Sequence, residues 1–257
     1  MPARLPKSVA FRRILSVLLL FASITLVTAA AFRLQSYFFA QKVRSVLSRM
    51  GQIQLDKTSQ AEVVALLPEF KPGTPSDFLI YGVPHIQCSA HACYGMQVRN
   101  WPGGMIARLQ EKLNYRFPRL FEAIYKLGHR YLAFAAFVEI RGGTVSRCLY
   151  VLGVQNGEFP ANDVVSVAVF GGDRADFLSD FGSARGDEVT RGFRGRVPGN
   201  KPTTDISLVF TPDANVEDVR NAFDVHVECV WNTQGCWSIK QLLPLLWKQH
   251  MESEHEK

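Results

Sequence analysis

An α+β fold, with one N-terminal transmembrane helix ahead of a single globular domain, follows from three observations. Residues 14–32, ILSVLLLFASITLVTAAAF, run for 19 positions without a charge. Farther along, short stretches alternate apolar and polar residues and are separated by turn-forming glycines. Brief helical patterns with capping residues lie between and after them. Together these predict an antiparallel sheet of about five strands with short helices on one face.

The apolar run is long enough to matter physically. A helix of that length spans roughly 28 Å, about the hydrocarbon thickness of a bilayer. Basic residues bracket it: Arg12 and Arg13 before, Arg33 after. A secretory leader is the competing reading, with Ala29 and Ala31 as the small residues before a cut ahead of Phe32. The helical pattern, however, continues through Leu34, Phe38, Val43, Val46, Leu47 and Met50 without Gly or Pro, which favours an uncleaved anchor. We therefore divide the chain into a basic cytoplasmic start at 1–13 and a signal-anchor at 14–32 marked by Ile14, Leu20, Leu26 and Phe32. A helical stalk at 33–50, a domain at 51–250 and a frayed tail at 251–257 complete it. Basic residues flank both ends of the span, so charge bias barely sets the orientation. The outward placement of the domain rests on the export-type start and the cysteines. That reading puts the chain in a cell inner membrane, single-pass, or secreted if the leader is cut.

Net charge narrows the partners. The whole chain carries +6, but residues 1–33 hold five basic residues and no acid, leaving 24 basic against 23 acidic residues in the rest. A near-neutral domain has no electrostatic motive to bind nucleic acid, and none is expected as a partner. The bilayer, met through 14–32, is expected; so is an envelope protein or an acidic headgroup.

Within the domain, Ser59 and Glu62 form a capping box before Val63, Val64, Leu66 and Leu67, and Pro68 stops that helix. Locally this stretch resembles a segment of small outer-membrane assembly lipoproteins, without their glycines or a lipidated cysteine, and it implies nothing further. Strand patterns follow near 78–83 and 94–98, and a helical pattern covers 104–127. Phe134, Ala136, Val138 and Ile140 then alternate with Ala135, Phe137 and Glu139. Gly142 and Gly143 make a two-residue hairpin turn, so Ile140 should face Val145, Ala136 face Leu149 and Phe137 face Cys148. Further strands are expected at 165–169 and 206–210, then a short helix capped by Asn215. Phe223, Val225, Val227, Cys229 and Trp231 alternate most regularly and predict a last strand. Ser238 with Gln241 opens a final helix.

The stretch VPHIQCSAHACYG, 83–95, holds His85, Cys88, His91 and Cys93. These are zinc-ligand types, but their spacing is not that of paired ligands on separate turns. A disulfide between Cys88 and Cys93 needs only two close Cα atoms. A second pair, Cys229 and Cys236, flanks VWNTQG, and Cys148 is left as a buried thiol. Two local pairs suit an oxidising compartment.

Three other clusters carry chemistry-bearing residues. Asp224, His226 and Glu228 share one side of the last expected strand; an acid–base or metal site is the sharp reading, the wet face of a half-buried strand the plain one. Residues 99–130 mix seven basic residues with apolar ones, suiting either a headgroup-facing helix or a sheet-covering one. The loop 182–202 offers Arg191, Arg194, Arg196 and Lys201 to an anion or lipid headgroup. Nucleophile-elbow, zincin, P-loop and dinucleotide motifs are absent, so no cofactor or metal is expected. The function expected is a membrane-anchored, non-catalytic binding or scaffolding domain outside the cytoplasm, in a bacterial-type envelope. The alternative is an envelope hydrolase or metal-dependent enzyme using the His85–Cys93 segment or the Asp224/His226/Glu228 face.

Overall fold

A 44-residue helix, α1 (Lys7–Met50), opens the computed structural model. The structure describes residues 7–73, 92–99, 109, 112, 119, 131–155, 164–172, 193–196, 205–232 and 235–248. Residues 7–50 contain neither Gly nor Pro, so nothing interrupts the helical hydrogen-bond ladder. Along this one helix the solvent relation changes. From Phe11 to Leu34 its large apolar side chains are exposed, apart from the half-buried Phe32, whereas Ser36, Phe39, Ala40, Val43, Val46, Leu47 and Met50 are buried. That second set recurs at three- and four-residue intervals, the stripe of a helix packed on a core. Residues 39–50 are therefore part of the domain's own core and not a free stalk.

After α1 comes α2 (Gln60–Leu66), whose capping box forms as expected: the Glu62 N–H donates to Ser59 Oγ at 3.3 Å and the Ser59 N–H to Glu62 Oε2 at 2.7 Å. Strands follow as β1 (Lys71–Pro72), β2 (Cys93–Arg99), β3 (Tyr131–Arg141), β4 (Thr144–Gln155), β5 (Val164–Gly171), β6 (Phe193–Arg196) and β7 (Asp205–Phe210). They form one sheet in the order β1-β2-β3-β4-β5-β7-β6. The remaining helices are α3 (Val216–Phe223), a 3₁₀ turn at Val227–Val230, α4 (Ile239–Leu242) and α5 (Pro244–Leu246). Asn215 caps α3 by accepting the Glu217 N–H at 2.9 Å. At α4 the Gln241 side chain accepts from the Ser238 and Trp237 N–H groups. The fold is α+β, a long apolar helix followed by a sheet with short helices.

Several expectations change. The sheet is mixed: β5 and β7 run parallel while every other neighbouring pair is antiparallel. A parallel neighbour needs a crossover of a dozen or more residues, and 172–204 supplies that length. Part of the expected loop at 182–202 is strand β6, which pairs back onto β7. The expected strand over 223–231 does not form: α3 ends at Phe223 and a 3₁₀ turn follows. Its alternation is nevertheless real, since Phe223, Val225 and Val227 are buried and Asp224, His226 and Glu228 exposed. Burial of one side of a nearly extended chain produces period two whether or not the backbone pairs in a sheet. The expected strand at 78–83 lies outside the described residues. So does the helical stretch 104–127, apart from Leu109, Lys112 and Arg119, which are helical and exposed.

The β3–β4 hairpin turns at Gly142 and Gly143, with φ of 59° and 90°, values that suit glycine. Ile140 faces Val145 as expected, but Ala136 faces Tyr150 and Phe137 faces Leu149. A bulge at the Glu139/Ile140 step, with Ser146 of β4 as the extra residue, shifts the register beyond it. On the other side of Val145, its N–H donates to Thr58 O at 2.9 Å and its carbonyl accepts from the Asp56 N–H at 2.7 Å. The segment before α2 thus holds the hairpin tip, and the bulge absorbs the mismatch.

The shifted register places Cys148, Tyr150, Leu152 and Val154 with Phe134, Ala136 and Val138 in the main core under α1 and the short helices. Phe137, Leu149 and Phe170 form a second buried cluster on the opposite face. The expectation of a one-sided sheet is corrected accordingly. Its near-continuous apolar run, YLAFAAFVEI, is the pattern of a strand covered on both faces.

Candidate functional site

Among the described residues, α1 is the one helix long and apolar enough to cross a membrane, and none of its most apolar 18 residues is buried. Ser16, Thr25 and Thr28 lie in that stretch. Each hydroxyl donates to the carbonyl one turn back, on Arg12, Phe21 and Ile24, at 2.8–2.9 Å. Three of the four hydroxyls in the stretch are thus satisfied within the helix, as a hydrocarbon environment favours. Ile14, Leu20 and Leu26 are all at least 60% exposed. Phe32 stands at the end of this surface.

Where α1 enters the domain it meets α3 and the 3₁₀ turn. Gly51, just past the helix, allows the approach: a Cβ there would lie 3.2 Å from the Phe223 Cβ. Two residues earlier, Arg49 forks onto both carboxylate oxygens of Glu69 and donates to Leu66 O at 2.9 Å. The paired guanidinium holds the Glu69 carboxyl below its usual range. Arg44 forms an ion pair with Glu228, and Tyr37 packs edge-on to Trp231 with ring centroids 5.3 Å apart.

Two clefts open at this junction. One, of about 280 Å³, is lined by Gln52, Gln54, Lys57, Thr211 and Arg220 among others. The other, of about 440 Å³, is bounded by Arg44, Ser48, Asn221 and Asp224. They share Gly51, Gln52 and Arg220. Amide and cationic side chains of this kind suit a polar or acidic segment; neither cleft is lined by a histidine or a cysteine among the described residues.

The acidic and histidine cluster is dispersed. His226 Nε2 lies 3.7 Å from Asp224 Oδ2, both side chains about half exposed, while Glu228 is turned to Arg44 on α1. The period-two alternation that put the three on one side is kept in their exposure, but Glu228 stands in the 3₁₀ turn and is engaged by Arg44. Among the described residues no three His, Cys, Asp or Glu side chains gather as a metal site would require.

Cys229 and Cys236 are joined, with Cα atoms 4.9 Å apart. Cys93 is also disulfide-bonded; Cys88, His85 and His91 lie outside the described residues. Cys148 is a free thiol buried on β4, and burial pushes it up to about 12. Arg194 and Arg196 belong to β6, and Arg191 and Lys201 lie outside the described residues.

A buried carboxylate escaped the sequence reading. Glu139 is 4% exposed and sits between Arg141, at 2.8 Å, and Arg147, at 3.5 Å. The bulge creates this triad by setting Arg147 opposite Glu139. The signal available in the sequence was one acid inside an otherwise apolar strand. No family model, curated protein or solved structure matches the chain.

Proposed function

We propose that this is a single-pass membrane protein whose extracytoplasmic domain binds or scaffolds other envelope components without catalysis. The observation that carries the reading is the division of α1: an exposed apolar half, three of whose four hydroxyls bond back to the helix, and a second half built into the domain core. Such a helix couples the domain rigidly to a bilayer. The Cys229–Cys236 bridge supports an oxidising compartment, and the polar, cationic clefts at the junction support recognition of an acidic segment.

Membrane extraction tests this. The chain should resist alkaline carbonate and keep residues 1–31 by intact mass, and denatured, unreduced protein should show one free thiol. A mature N-terminus at Phe32 refutes the anchor, and five free thiols refute the outward placement.

A further inference from the structure

The geometry points to a second contact with the bilayer: Trp231, and Trp237 just past the Cys229–Cys236 bridge, rest in the headgroup layer beside the end of α1. This deepens the proposed membrane anchoring and rests on it. The axial position comes from three rungs between α1 and the segment 223–231. Phe223 meets Gly51, Glu228 meets Arg44, and Trp231 meets Tyr37. As the later segment advances, α1 recedes toward its apolar half, so the two run antiparallel and Trp231 is at the membrane-proximal end. The rise from Phe32, where the uncharged run stops, to Tyr37 is about 7.5 Å. Each headgroup layer is roughly 5–8 Å thick, so the Tyr37–Trp231 pair falls within it.

The chemistry there is that of an interfacial belt. Tyr37 and Phe38 are 41% and 62% exposed, and their rings are in edge contact at 5.8 Å. Trp237, next to Cys236, is 49% exposed. The bridge holds Cys236 within 4.9 Å of Cys229, which lies between the Glu228 and Trp231 rungs. Indole and phenol rings with an apolar body and a polar tip favour this layer over both water and hydrocarbon. Arg33, one residue past the uncharged run, adds a cation for lipid phosphates.

The test uses the full chain reconstituted in phosphatidylcholine vesicles, with a nitroxide on the headgroup or bromines at mid-chain. Wild type is compared with Trp231→Phe and Trp237→Phe, each shown to retain its circular dichroism. Headgroup nitroxide should quench the emission lost in each variant more strongly than mid-chain bromine does. Co-flotation with vesicles but no headgroup quenching of these two indoles overturns the inference and leaves the anchor standing. Failure to co-float overturns both.

Discussion

Deleting the chain through Met50 should abolish folding, whereas deleting it through Arg33 should not. The two cuts differ by 17 residues, which include Phe39, Val43, Val46, Leu47 and Met50, none more than 6% exposed. Burying side chains of this size stabilises by about 1.5–3 kcal/mol each, so the five together contribute about 8–15 kcal/mol. A domain's whole stability is about 5–15 kcal/mol, and the longer deletion also removes the Arg49 fork onto Glu69. Near-ultraviolet circular dichroism and urea titration provide the assay. Residues 34–257 should unfold in one cooperative transition; residues 51–257 should show none. A graded version replaces Leu47 alone: Leu47→Ala should cost about 2–5 kcal/mol, lowering Tm by about 4–20 °C in a domain of this size. Cooperative unfolding of residues 51–257 at the midpoint of the longer fragment would refute the assignment of α1 to the core.

Tyr150 donates to the Ala222 carbonyl at 2.5 Å, satisfying an acceptor that the end of α3 leaves open. Tyr150→Phe should cost about 1–3 kcal/mol by stranding it, read from the urea midpoint; no change would mean another donor reaches that oxygen. Gly171→Ala would place a Cβ 2.3 Å from the Phe210 ring and 2.9 Å from the Cys148 sulfur, so a loss of about 1–3 kcal/mol or more should appear in the same titration. Glu69 has its folded pKa lowered by Arg49. Its contribution is present above the unfolded carboxylate value and fades as pH falls through the folded one. Between about pH 6 and pH 3, Glu69→Gln should therefore lose less stability than wild type does. Cys148 should resist iodoacetamide in the native protein at mildly alkaline pH, because burial both shields the thiol and pushes it up to about 12. Mass spectrometry would expose rapid native labelling, which would contradict a sealed β4.

Local chemistry was legible in the sequence because its causes are local. An uncharged apolar run bounded by arginines predicts a span; Ser59 with Glu62, and Asn215 before Val216, predict helix starts; Gly142 and Gly143 predict the turn between β3 and β4. What the tertiary structure decided was which surfaces meet. Residues 39–50 carry a stripe that reads equally as stalk or core, and the presence of α3 and the 3₁₀ turn alongside makes it core. The alternation over 223–228 reports one-sided burial, and only the neighbourhood of α1 determines that no strand pairs there. Likewise the register past Ile140 depends on the hydrogen bonds that Val145 accepts from the Asp56 N–H and donates to the Thr58 carbonyl, residues nearly 90 positions away in the chain. The Glu139–Arg147 contact follows from that shift. Periodicity records how a residue is solvated; partners are set by which distant segment buries it, and that depends on packing a single sequence pattern does not encode.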